Sequence, residues 1–158
     1  MPSQPILSGL PYLNGGFPMR ILSLLAASLF LLGGAALAQS PAPEGARAYI
    51  ISPADGATVS APVTVRFGLS GMGVAPAGFE KASTGHHHLL INRPLPTGED
   101  LEFSLPAEDG LRHFGGGQTE VTLDLPKGRH TLQMLLGDHN HVPHVPPVAS
   151  AVVTITVE

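Results

Sequence analysis

Apolar and polar residues alternate along PVTVRFGLS, where Val63, Val65 and Phe67 oppose Thr64 and Arg66. They do so again along EVTLDL, where Val121, Leu123 and Leu125 oppose Thr122 and Asp124. A period of two marks a strand with one buried and one wet face. Four more segments, AYIIS, HHLLIN, HTLQMLL and SAVVTITV, are short and rich in β-branched or aliphatic residues. PADGATVSAP, LPKGRH and GDHNHVPHVPP supply turn residues between them, and beyond residue 46 no segment sustains a helical period. The pattern predicts strands at 48–52, 62–69, 86–92, 119–125, 129–136 and 150–157, with a weak strand near 101–105. Short strands with regular turn punctuation predict one all-β domain over 47–158, an immunoglobulin-like antiparallel β-sandwich.

The segment ahead of these strands has another character. In MRILSLLAASLFLLGGAALAQS, Met19 and Arg20 make a basic start, residues 21–32 are apolar, and Ala36-Leu37-Ala38 offers a small-x-small cleavage site. That is the layout of a Sec-type signal peptide over 19–38, cut to leave Gln39 as the new N-terminus; an uncleaved anchor is the alternative. Residues 1–18 carry no charge and read as lying ahead of a true start at Met19. QSPAPEGA, 39–46, has nothing to bury and reads as a flexible linker. The expected protein is therefore exported, to the periplasm or the medium.

Composition then excludes whole classes of function. Removing the signal leaves seven basic against twelve acidic residues. Such a balance argues against nucleic acid or an anionic membrane surface as partner. There is no cysteine, hence no disulfide, thiolate ligand or thiol nucleophile. No G-x-S-x-G is present, and Ser83, Ser104 and Ser150 lie in no nucleophile context, so catalytic residues are not assigned. The acidic pairs Glu99-Asp100 and Glu108-Asp109 read as solvated loop residues. A monomer is expected, with no protein partner specified.

The eight histidines all fall between His86 and His144. In the expected sandwich the strand at 86–92 descends beside the one at 129–136. The start of the first, the approach to 119–125 and the end of the second then share one end of the fold. That end would gather seven histidines, and His130 alone would lie at the other. His86 and His88 share a face by the period of two, with His87 on the opposite one. His139 and His141 form a second such pair if the strand stays extended past Asp138. With His113 and His144, these make six candidate metal ligands, suited to copper or zinc. Asp138, Gln118 and Met72 are candidates for the surrounding shell. His87 and His130 read as structural, His130 standing where a polar tip bonds the preceding turn. Gly115-Gly116-Gly117 lacks the helix and Lys/Ser of a phosphate loop and reads as a place of close backbone approach for His113 and Gln118.

GMGVAPAG, GHHHLLIN and HFGGGQTEVTLDLPKGRHTLQMLLGDHNHVPHVPP resemble the bacterial exported family called domain of unknown function 4399, over about residues 51–157. The resemblance implies an exported, single-domain protein and supplies no reaction. Where that family reads GHHHLLID, this chain carries Asn92.

Together these readings predict an exported carrier, buffer or sensor of one transition-metal ion, more a binding protein than an enzyme. The alternative is a non-enzymatic interaction module whose histidines are structural, or read a partner or anionic ligand as pH changes.

Overall fold

The computed structural model describes residues 39–158; the expected false start and signal peptide lie outside the described residues. Nine strands make the fold: β1 (Arg47–Ser52), β2 (Thr58–Val59), β3 (Val63–Ser70), β4 (Gly73–Val74), β5 (Thr84–Ile91), β6 (Leu111–His113), β7 (Glu120–Leu123), β8 (Gly128–Gly137) and β9 (Val153–Val157). One sheet has the order β1-β3-β7, the other β2-β9-β8-β5-β4, with β6 also paired to β5. The chain is thus all-β, a sandwich of two sheets. Among the described residues no helix is long and apolar enough to cross a membrane.

The alternation in the sequence becomes the two faces of the first sheet. Val63, Val65 and Phe67 of β3 and Leu123 of β7 point into the core. On the wet face Thr64 meets Thr122 at 3.0 Å and Arg66 meets Glu120 at 3.2 Å. From the opposite sheet Leu89, Leu132, Met134, Leu136, Ile155 and Val157 complete the interior.

The second sheet is buried on both sides in its middle. β5 pairs antiparallel with β8, placing His86 opposite Gly137, His88 opposite Leu135 and Leu90 opposite Gln133. On the outer face Leu90, Leu111 and Leu135 meet Leu105, which descends from the long loop after β5 and forms a second, smaller core. The weak strand expected near 101–105 is not there. The chain makes a 3₁₀ turn over Gly98–Glu102, and Phe103 is 65% exposed while Leu105 is buried. The edge of β5 that such a strand would need is already taken by β4 and β6.

The segment read from composition as a linker makes specific bonds. Ala42 N donates to the Val145 carbonyl at 2.8 Å and Val145 N to the Ser40 carbonyl at 3.0 Å. Gln39 Nε2 donates to the carbonyls of Leu101 and Pro143, and Ser40 Oγ to Asp138 Oδ2 at 2.8 Å. Residues 39–42 therefore form a strap across the loop that follows β8. Backbone bonds won over composition here because the proline-rich loop opposite leaves carbonyls that need donors.

Candidate metal centre

Outward-facing residues of β5 build the floor of the site. His86 and His88, at 0% and 2% exposure, project from the outer face two residues apart. β6 sets His113 directly opposite His88 in the antiparallel ladder, so their rings share that face, 5.1 Å between centroids. The fourth ring comes from beyond β8. That strand ends at Gly137, and the chain turns at once, with Asp138 accepting from His141 N through its carbonyl at 2.9 Å. Asp138 Oδ1 also accepts from Asn140 N and Val142 N, at 2.8 and 3.0 Å. This tight turn folds His141 back over the sheet.

Gly137 makes that return feasible. A Cβ there would stand 2.7 Å from His88 Cε1 and 3.3 Å from His141 Cα. His141 itself has φ +66°, a left-handed backbone uncommon for a residue with a side chain. The conformation is held by the turn hydrogen bond and by Leu105 N, which donates to the His141 carbonyl at 3.0 Å. Gly115 plays a like part for His113, since a Cβ there would fall 2.4 Å from the His113 ring.

Four imidazoles thus converge from three separated segments. His86, His88, His113 and His141 each offer a ring nitrogen, all within 4.8 Å of one another. His86 and His141 already share a hydrogen bond, Nε2 to Nδ1, at 3.0 Å. Binding at ~2.0–2.1 Å from each nitrogen, in a tetrahedral or a five-coordinate arrangement, sets neighbouring donors about 3 Å apart, so the four rings would have to draw in by more than about an ångström at their widest to close on an ion.

Two histidines expected beside them lie elsewhere. His139 accepts from Asn140 Nδ2 at 2.9 Å and stands 4.0 Å from Glu80. His144 Nε2 donates to the Thr84 carbonyl at 3.2 Å. The pairing of His139 with His141 required an extended chain past Asp138, and the turn removes it; His113 of β6 stands in its place. An Asp followed two residues later by Asn is a turn former, and that was the available signal.

The remaining candidates have other occupations. Asp138 is consumed by the turn and by Ser40. Gln118 Oε1 accepts from Gly116 N at 3.1 Å, closing the glycine turn, and Met72 packs against the main core. His130 bonds through both nitrogens: Nε2 donates to the Pro126 carbonyl at 2.8 Å and Nδ1 accepts from Asn92 Nδ2 at 2.9 Å. Asn92 has φ +56° and its Oδ1 accepts from Thr131 N. It is a turn residue at the far end of β5.

His87 faces inward, 1% exposed, its ring 5.3 Å from that of Phe67. Neither ring nitrogen meets a hydrogen-bond partner among the described residues. A buried polar atom left unpaired costs about 1–3 kcal/mol, whereas the aromatic contact returns ~0.5–1.5. His87→Leu is therefore expected to stabilise the fold by ~1 kcal/mol in urea unfolding at pH 7.5. A loss of stability would contradict this account of the His87 environment.

Burial sets the chemistry of His86, His88 and His113. Desolvation, then the nearby His141 and His113, holds His86 down at about 4, with Asp138 pulling the other way. Desolvation and the three neighbouring rings take His88 to about 3. His113 is lowered as well, by burial and by His141. At neutral pH these three are uncharged, so their lone pairs face little competition from protons. Neutral imidazole nitrogen is a donor for zinc, copper and nickel.

The outer side of the centre is open. A cleft of about 270 Å³ is lined by His88, His113 and His141 together with Leu105, Pro106 and Ala107.

A family model, Domain of unknown function (DUF4399), matches residues 65–158, a span that holds all eight histidines. No curated protein and no solved structure matches the chain.

Proposed function

We propose that this chain, which belongs to the DUF4399 family, binds one transition-metal ion, copper(II) or zinc, through His86, His88, His113 and His141. The observation that carries the reading is the convergence of four ring nitrogens within 4.8 Å, drawn from β5, β6 and the turn after β8. A purely structural cluster predicts something different. Histidines that only tie loops together spend their nitrogens on protein partners, as His130 does on Pro126 and Asn92. In the cluster, Nδ1 of both His86 and His88 is buried with no partner among the described residues, a state shared with both nitrogens of His87 and Nδ1 of His144, whose rings do not join the convergence. An ion bound by the converging rings draws on such unspent donors.

Within this reading the protein acts as a carrier, buffer or sensor in the periplasm or outside the cell, following the export expected from its leading segment. Calorimetric titration tests it with the double variant His113→Ala/His141→Gly. Both positions lie at the rim of the site, and glycine accepts the positive φ of residue 141. The wild-type protein is expected to take up one equivalent with a Kd below ~1 μM, and the variant to bind at least ~100-fold more weakly. Unfolding of the two metal-free proteins should agree to within ~1 kcal/mol. Equal affinity in the two would remove the assignment.

A further inference from the structure

We propose that the ion-loaded centre takes a small inorganic anion as a fifth ligand, admitted through the cleft that Leu105, Pro106 and Ala107 help to line. The inference rests on the metal reading above and adds to it the chemical class of what meets the ion.

Charge is the first argument. The four donors are neutral imidazoles, so they leave a divalent ion with its whole charge. Asp138, the carboxylate whose field reaches His86, is turned to other work, accepting from Ser40, Asn140 and Val142. It is not among the converging ligands. A cation held without a compensating anion in a partly buried site attracts one, and more strongly there than in bulk water.

Access is the second. His86 and His88 form a buried floor, so nothing reaches the ion through the sheet. On the outer side three of the four rings line the cleft, and its 270 Å³ admits several water-sized molecules. The rest of the lining, Leu105, Pro106 and Ala107, brings no charged side chain and no side-chain hydrogen-bond donor. Such a lining selects against large, strongly hydrated or multiply charged species and suits a compact monovalent anion. Ala107 is exposed at the cleft, so a larger side chain there is positioned to obstruct the route.

Cobalt(II) gives the test a visible spectrum, and azide is the probe anion. Titrating azide into the cobalt-loaded protein should change the absorption bands of the metal saturably. Ala107→Phe is expected to keep cobalt affinity within about threefold of wild type and to weaken azide binding at least about tenfold. A cobalt spectrum indifferent to excess azide overturns the proposal while leaving the metal site standing; so does an Ala107→Phe protein that binds azide as well as wild type. Failure to bind cobalt removes the metal reading itself, and the anion site with it.

Discussion

Acidifying the metal-free protein from pH 7 to pH 5 is expected to cost it ~6 kcal/mol, a large share of the stability of a domain of this size. The cause is the row His86, His87 and His88, held at about 4, about 4 and about 3 by burial as the leading effect. In the unfolded chain each binds a proton near ~6.5, while in the native state each stays neutral until the pH is far lower. The unfolded state therefore holds more protons throughout the interval between the two values, and stability falls as pH falls. It is complete above the unfolded value and is lost progressively below it. At pH 5 one such group has cost ~2 kcal/mol, and the three together ~6 kcal/mol, against a typical total of ~5–15. Urea unfolding at half-unit steps between pH 7.5 and 5 reads this directly. The slope should approach three protons, and one proton should vanish from it in His87→Leu. A change under ~1 kcal/mol over the whole range would mean the rings are not neutral and buried in solution.

Zinc or copper should act in the opposite direction, and nearly as strongly. An ion that binds only the native state adds RT ln(1 + [L]/Kd), ~4 kcal/mol at a thousandfold excess over Kd. For a domain of this size that corresponds to a rise in Tm of roughly 15 °C. Calorimetric scans with and without chelator should show the shift in wild type and at most about a third of it in His113→Ala/His141→Gly. The two effects meet in the acid range: protons and ion compete for the same nitrogens, so the metal-bound protein should resist acid longer and then release its ion as it unfolds. A Tm that ignores the metal would sink the proposed function whatever binding is seen in dilute solution.

How much of this was legible beforehand differs from segment to segment. β3 and β7 could be read because one of their faces is wet, which writes alternation into the residues. The pairing of β5 with β8 followed from the expected sandwich, and the period of two set His86 and His88 on one face and His87 on the opposite one. His130 was placed by its position at a strand start. β6 escaped because three residues, one of them Arg112, carry no period. Its partner choice is settled by which edge of β5 remains free, a property of the assembled sheet. His141 was a candidate from the residues, but its route to the site was not: the period of two stops where the strand stops, and Gly137 marks that stop only once His88 and His141 are seen to crowd it. The strap was hidden because proline-rich composition tells nothing of the carbonyls waiting on another loop.

That strap also fixes the order in which the centre can come into being. Gln39 reaches Pro143 across 104 residues and Ser40 reaches Asp138 across 98. His86 meets His141 across 55. Contacts this distant along the chain carry a closure entropy that must be met before they return any energy, so they form late. A polypeptide that emerges N-terminus first has residue 39 free long before residue 141 exists. The four rings are therefore expected among the last parts to be brought together, and an ion bound there as proposed would certify a finished fold instead of guiding an unfinished one.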